Sequence, residues 1–467
     1  MTTPAFLLFG ANGDLALRML WPTLFRLHCD TSLPESMAVY GISRSGSTLE
    51  LHEQLRKSLL DEVNESNCEK FEDFLAKTVF ITLDAGNSKD YQTLAEFLAE
   101  KKQHVALAYL SMPPDLFTPI AENLHHAGLI TADTRIILEK PIGKDLDSSR
   151  AISDGVAKVL SEQQTYRIDH YLGKEAVQNL LALRFGNSIF EPLWNSVNIK
   201  SVHISIAESL GIGGRWGYYD KSGALRDMVQ NHMLQLLSLV AMEPPVNASS
   251  ESIRNEKIKV LQALHPITEH NFKHSVIFGQ YAASESAELP SYNEEADAKH
   301  PSQTETFVAI KAFVDNWRWK GVPFYLTTGK RLDAKHTEVV IEFKEVPQFL
   351  FGQKHNGHNS NRLVIQMQPD ESITLEIFNK TPDVHEFVLK PVALNLEINE
   401  SGSGKVRHIA YERLIRDAIK GDRTLFVRRD ELEQAWAWID QIHAAYKSSG
   451  ADLHYYPAGS VGPSFVL

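Results

Sequence analysis

"AFLLFGANGDLALRML" (residues 5–20) decides how the first half of the chain folds. A short apolar run leads directly into Gly-Ala-Asn-Gly and then into a stretch with helical spacing. Gly10 suits the tight turn that ends a strand, Gly13 lets a backbone approach a pyrophosphate, and Ala16 permits close packing of helix on sheet. The N-terminus of the helix then faces phosphate groups. Taken alone, G-x-x-G-x-x-A fits any tight strand–helix turn, so its weight depends on the pattern of the next 130 residues.

That pattern is alternation. "MAVYGIS" (37–43), "TVFITLD" (78–84), "HVALAYLSM" (104–112) and "TRIILEKP" (134–141) are short apolar runs. Between most of them lie polar stretches with helical spacing, such as "KDYQTLAEFLAEKK" (89–102) and "DLFTPIAENLHHAG" (115–128). Strands joined by helix-length connections give a parallel sheet covered on both faces. This predicts an α/β, Rossmann-like N-terminal domain over residues 1–175, with ligands bound beyond the carboxyl ends of its strands. The second strand ends in Ser43, Arg44 and Ser45, where an enzyme using NAD would carry an acid for the ribose hydroxyl. A guanidinium suits a phosphate instead, so the residues favour NADP over NAD. Lys140, after the fifth strand, stands where cofactor and substrate would meet, and Pro141 stops further strand pairing.

After about residue 175 the pattern changes. "GALRDMVQNHMLQLLSLVAME" (223–243) reads as a helix with Leu225, Val229, His232, Leu236 and Val240 along one face. Runs with strand alternation come at 304–314, 337–346, 361–368, 372–380 and 385–398, several of them closely connected. Two amphipathic helices come next, near 406–420 and 429–447, and 282–303 reads as a loop. The second domain, 176–467, is therefore expected to be α+β, with a large, mainly antiparallel sheet and helices on one side. Its far face needs cover, so a homodimer or homotetramer is expected. His232 interrupts an apolar face: it is either a core histidine satisfied by one hydrogen bond or a base facing a pocket.

Composition sets outer limits. A net charge of −12 argues against a nucleic-acid partner, so an anionic ligand needs a local basic cluster. Cys29 and Cys68 are the two cysteines, without metal-ligand spacing, and no metal is expected. No apolar run is long enough to span a membrane, nor does the N-terminus read as a signal peptide, which makes the cytoplasm the expected compartment.

"RIDHYLGKE" (167–175) gathers acids, aromatics and cations into one short stretch, and it resembles the substrate-binding motif of the glucose-6-phosphate dehydrogenase family. "GANGDLA" (10–16), "SMPP" (111–114), "EKPIGKDL" (139–146), "GYYDKSGALRDMVQNHMLQLL" (217–237), "TETFVAIK" (304–311), "VPFYLTTGKRL" (322–332) and "AYERLIRDAIKGD" (410–422) stand in that family's order. The resemblance implies oxidation of β-D-glucose 6-phosphate at C1 to 6-phospho-D-glucono-1,5-lactone with hydride transfer to NADP, the first step of the oxidative pentose phosphate pathway. It implies His232 as the general base and Asp169 as the carboxylate that orients it. His170, Tyr171 and Lys174 would bind the phosphate, with Gly173 permitting a turn and the following helix start favouring the anion. Glu208 and Asp227 would contact sugar hydroxyls, Lys330 and Lys335 would be basic substrate ligands, and Lys140 would touch both cofactor and sugar. Gly10, Gly13, Asp14, Leu15, Ser43 and Arg44 would hold the cofactor, with Asp84 and Ala85 on its adenosine side. One departure lies at Val461, where the family carries tryptophan; the resemblance places it away from the catalytic motifs.

Two other classes compete. An oxidoreductase acting on a neutral polyol would also use the Lys140 motif, but it would have no use for three cations at Lys174, Lys330 and Lys335. A nucleotide-binding regulator without turnover should have lost His232 or Asp169, and both are present.

Overall fold

The computed structural model describes residues 2–59, 62–64, 67–295, 301–348, 360–382, 388–396 and 410–463. They form two compact units, each built from separate stretches of chain.

The first unit comprises Met1–Gly173, Asn247–Arg254 and Val406–Glu433. Its strands are β1 (Thr3–Phe9), β2 (Ala38–Ser43), β3 (Thr78–Thr82), β4 (Gln103–Leu110), β5 (Arg135–Leu138) and β6 (Thr165–Ile168). They run parallel in the order β6-β5-β4-β1-β2-β3, and a short antiparallel strand, β15 (Phe426–Val427), closes the edge beside β6. Near-continuous burial, as in Ala5–Phe9 and Ala108–Leu110, is what a sheet covered on both faces requires. The chain leaves β1 toward β2 and β3 on one side and returns to β4, β5 and β6 on the other. The crevice where ligands bind such sheets therefore opens between the carboxyl ends of β1 and β4.

β6 and β15 were not legible as strands in the sequence. β6 is four residues long, and β15 two. β6 gains its place from β5, which it pairs in parallel, and β15 from β6: Phe426 pairs with Ile168, and its ring meets Tyr166 edge-on at 4.8 Å. The helix Ala410–Lys420 also belongs to this unit, although the sequence reading placed it in a second domain of 176–467. Arg135, on β5, donates to the carbonyls of Ala418 and Ile419 at 2.9 and 2.6 Å and so caps that helix's C-terminus. Residues 406–409 of the expected helix lie outside the described residues.

The second unit comprises Lys174–Val246, Asn255–Lys405 and Gln434–Leu467. Its strands are β7 (Ile199–Ala207), β8 (Val276–Ala282), β9 (Phe307–Phe313), β10 (Pro323–Gly329), β11 (His336–Phe343), β12 (Arg362–Gln368), β13 (Ser372–Lys380), β14 (Leu389–Leu396) and β16 (His454–Pro457). Their order is β14-β13-β12-β11-β7-β10-β9-β8-β16, antiparallel except where β7 meets β10 and β8 meets β16. The mainly antiparallel sheet matches the sequence expectation, although β7, β8, β10 and β16 were not assigned from their periodicity. One face carries the buried Ile204, Ile310, Leu326, Val339, Ile365 and Ile373. The other sets Lys311, Tyr325, His203, Val340, Val364 and Thr374 in one register row. Of the strand expected at 385–398, residues 385–387 and 397–398 lie outside the described residues. The expected loop at 282–303 contains one helical turn, Tyr292–Glu295, with Tyr292 fully buried. Among the described residues no helix is long and apolar enough to cross a membrane.

Candidate active site

The β1–β4 crevice of the first unit is shaped by Gly10. Its φ of +78° lies in the left-handed region, and a Cβ built there would stand 2.2 Å from the carbonyl oxygen of Ser111, just after β4. Gly10 and Ala11 both donate to the Ile42 carbonyl, at 2.8 and 3.1 Å, which fixes the turn against β2. A helical stretch starts at Asp14, and the buried Ala16 leaves it close to the sheet. Ser43, ending β2, donates to Asn12 Oδ1 at 2.7 Å, so the turn and the second strand form one rim. Arg44 is exposed beside it, and exposed Asp14 pairs with Arg18 at 3.4 Å. Leu15 is half-buried. Asp84 is committed to its own turn: Oδ1 accepts the Gly86 N–H at 2.9 Å. The Ala85 carbonyl is likewise taken, by Tyr91 and Asn123.

The end of β5 supports a second cluster in the same unit. Lys140 follows the buried Glu139, and the Lys140–Pro141 peptide is cis. Glu139 accepts from Tyr109 Oη at 2.5 Å, from the Lys140 N–H at 3.2 Å and from Tyr411. Burial pushes the Glu139 carboxyl upward, and these donors partly offset that. Tyr411 stacks on His170, ring centroids 6.1 Å apart and planes 9° from parallel. A continuous contact path therefore runs from the Lys140 backbone through Glu139 and Tyr411 to His170. Asp169, buried, accepts the Tyr171 N–H on Oδ1 at 3.0 Å, which turns the chain into the short helix His170–Gly173. Gly173 is required here by close approach rather than by a special turn: its φ is ordinary, and a Cβ would lie 2.6 Å from the Ala410 carbonyl oxygen.

In the second unit, Lys174 is the N-cap residue of the helix Glu175–Phe185. The sequence reading gave that helix start to the phosphate. The Ala176 N–H, however, donates to Glu371 Oε2 at 3.1 Å, so this donor is already committed to a carboxylate. Glu208 and Lys330 follow the paired ends of β7 and β10, where Ala207 stands opposite Gly329. That register brings Lys330 Nζ onto Glu208 Oε2. The ammonium is buried and also lies 5.1 Å above the Tyr219 ring. Lys330 is thus a neutralised cation, and the sequence argument from three cations loses one of them. The pair offers an acceptor and a donor side by side, which suits hydroxyl groups. Lys335 is exposed, five residues further on.

Asp227 and His232 share the helix Leu225–Met233, which is wound as a π-helix; Leu234–Ala241 continues it as an α-helix. The face read from the sequence is buried throughout, with His232 only 1% exposed. Its widened winding could not be read from periodicity, although wide turns of this kind concentrate at functional sites. The C-terminal segment around Val461 is closer to this chemistry than the sequence reading allowed. Tyr456 Oη donates to the Lys330 carbonyl at 2.7 Å, the Gly459 N–H to Arg331 and the Asp333 N–H to Ser460. Val461 itself is exposed. Sequence reasoning missed Glu139, Tyr411 and Tyr219 as parts of these clusters. Each lies inside a quoted motif, but nothing local marks a buried acid or tyrosine as a connector.

Comparison with known proteins covers the whole chain. The family model "Glucose-6-phosphate dehydrogenase, NAD binding domain" matches residues 7–179, and "Glucose-6-phosphate dehydrogenase, C-terminal domain" matches 181–466. Glucose-6-phosphate 1-dehydrogenase of Zymomonas mobilis is 45% identical, covering 100% of this chain and 97% of the relative. The Rhizobium meliloti enzyme of the same name is 44% identical over 98% of this chain and 94% of its own. Among solved structures, a glucose-6-phosphate dehydrogenase in complex with its substrate glucose 6-phosphate superposes with a TM-score of 0.90 at 35% identity, covering 99% of this chain and 96% of that one. A super-repressor mutant of Gal80p from Saccharomyces cerevisiae, 9% identical with a TM-score of 0.53 over 96% of each chain, shares the fold alone.

Proposed function

The chain belongs to the glucose-6-phosphate dehydrogenase family and oxidises glucose 6-phosphate; within that activity we propose NADP as its cofactor and His232 as its base. The full-length match to both family models carries the reaction class. For the cofactor, the supporting observation is the Gly10 crevice, whose backbone approach any Cβ would fill. Gly10, Gly13, Asp14 and Leu15 would hold the pyrophosphate side, with Asp84 and Ala85 toward the adenosine. When bound, the nicotinamide supplies the acceptor for the C1 hydride. His232 takes the proton of the C1 hydroxyl, and Asp169 is assigned the carboxylate that stabilises the resulting cation. Glu208 with its Lys330 partner, and Asp227, hold sugar hydroxyls. His170, Tyr171 and Lys174 hold the phosphate, Lys335 adds positive charge, and Lys140 bridges cofactor and sugar.

A nicotinamide absorbance assay over glucose 6-phosphate, glucose and inositol, with NADP and with NAD, tests this reading. Fast turnover should require the phosphorylated sugar; comparable turnover of a neutral polyol would favour the polyol-oxidoreductase class. Arg44 is proposed to read the 2′-phosphate, with Ser43 beside it. Because Arg44 is exposed, solvent screening keeps its contribution near the low end for a charged pair. Arg44→Ala should shrink the preference for NADP over NAD by about tenfold, the equivalent of roughly 1.4 kcal/mol. Steady-state constants for both cofactors check this, and an equal fall for both would assign Arg44 to loop shape.

The row of half-buried Tyr325, His203 and Val364 on the second unit's sheet is proposed to face a second copy of the chain. Analytical ultracentrifugation should give a dimer or a multiple of it. The cytoplasm is proposed as the protein's compartment, since a chain with two cysteines in 467 residues does not depend on a disulfide framework.

A further inference from the structure

Residues Thr304, Glu305 and Thr306 fasten three pieces of the second unit together. Thr304 Oγ1 donates to the Asp220 carbonyl at 2.7 Å. The Glu305 backbone carbonyl accepts the Ala224 N–H at 3.0 Å, and its side-chain Oε1 accepts the Leu225 N–H at 3.1 Å. The Thr306 carbonyl accepts the Lys330 N–H at 3.0 Å. The first N–H groups of any helix lack partners within the helix. Here the helix is the one that carries Asp227 and His232, and Glu305 supplies acceptors from outside it for two of these groups, the N–H of Ala224 and that of Leu225.

The chain makes room for this acid. Gly223, with φ +66° and ψ 173°, breaks the preceding helix Trp216–Ala224. A Cβ at Gly223 would lie 2.2 Å from Glu305 Oε1. The carboxyl is buried, yet it borders a cleft of about 320 Å³ lined also by Asp220, Lys221, Ser222, Arg226, His443 and Lys447. Asp220 is engaged by Tyr292 and Ser302. His443 is held down to about 4 by burial and by Arg226 and Lys447, so it is neutral near pH 7. Tyr219, Tyr292 and Tyr446 also lie within electrostatic range of Glu305, each with its hydroxyl pushed up by burial. Arg226 is the cation that acts on the Glu305 carboxyl, which burial nevertheless raises to about 7.

We propose that Glu305 is a positioning residue for the dehydrogenase reaction: it fixes the first turn of the helix on which Asp227 and His232 are carried. The proposal rests on the assignment of those two residues above. Ionised, the carboxylate holds the helix N-terminus by charge-assisted bonds and opposes the positive end of the helix dipole. Protonated, it keeps a weaker, neutral acceptor. The hold is therefore tightest above pH 7 and relaxes as the pH falls through that value.

Glu305→Ala should lower kcat by about tenfold, the scale of one charge-assisted bond, with the KM for glucose 6-phosphate nearly unchanged. Normal kcat in a folded Glu305→Ala enzyme overturns the inference. Should that variant fail to fold, Glu305→Gln decides, because the amide keeps the acceptor and cannot ionise. Its kcat should equal the wild-type value at pH 6 and fall about three- to fivefold below it at pH 8, a fraction of one charge-assisted bond. Taking the ratio of the two enzymes at each pH removes the pH effects common to both. A ratio that does not change with pH overturns the inference. His232→Asn, assayed alongside, separates the two levels: if it keeps its turnover, the assignment of the base is wrong, whereas its loss beside normal Glu305 variants removes only the positioning role.

Discussion

His232→Asn is expected to lower kcat by about 10²- to 10⁴-fold, the contribution of a positioned general base, while the KM for glucose 6-phosphate changes little. Asparagine keeps a polar side chain of smaller but related shape and has no basic nitrogen. The substrate loses the group that takes its C1 hydroxyl proton and retains its phosphate ligands. The competing account is that His232, only 1% exposed, is a core histidine. Under that account the substitution would act on stability, with a lower thermal midpoint and near-normal turnover of the folded fraction. The π-winding of Leu225–Met233 bears on the choice, because such winding sacrifices regular hydrogen bonding and is kept mostly where function needs it. Measuring kcat at saturation together with the melting midpoint separates the two. Turnover close to wild type would remove His232 from the mechanism.

How far the sequence carried depended on where the information sits. Strand–helix alternation in residues 5–141 is a local signal: each buried parallel strand is nearly all apolar, so its run can be read without knowing its neighbours. β6 and β15 carry no such signal, being four and two residues long, and exist as strands through their partners, β6 through β5 and β15 through β6. The same holds for Ala410–Lys420. Its amphipathic spacing announced a helix, but what ties it to the first unit is a set of distant partners, among them Arg135 at its C-terminus, His170 and Glu139 against Tyr411, Asp30 with Arg416, and Gly173 against Ala410. The site residues named from the sequence came from motifs. Their side-chain commitments did not: Lys330 faces Glu208 because β7 and β10 pair in parallel register, a relation between residues 122 positions apart. Likewise Glu371 takes the Ala176 N–H from 195 residues away. Long-range pairing of this kind leaves no periodicity to read.

That commitment sharpens what to expect of Lys174→Ala. With the Ala176 N–H already bonded to a carboxylate, the helix start Glu175–Phe185 has one donor fewer for a phosphate, and Glu371 adds negative charge beside it. The attraction for the anion at this end of the motif then leans on the Lys174 ammonium. Lys330, paired with Glu208, cannot substitute for it, and Lys335 is exposed, where screening weakens its pull. Lys174 is half-buried, so its bond to a phosphate oxygen should be worth about 1.5–3 kcal/mol, the range for hydrogen bonds to charged groups. The KM for glucose 6-phosphate in Lys174→Ala should therefore rise about 10- to 100-fold. Turnover at saturation should stay close to wild type, since His232 is untouched. Activity on unphosphorylated glucose, which has nothing for the ammonium to hold, should not move. Raising the ionic strength should weaken the wild type toward the variant, because a charged pair is screened and a shape contact is not. Kinetics on both sugars at two salt concentrations measure all of this. Equal losses on glucose and glucose 6-phosphate, insensitive to salt, would mean that Lys174 supports the start of its helix and not the phosphate.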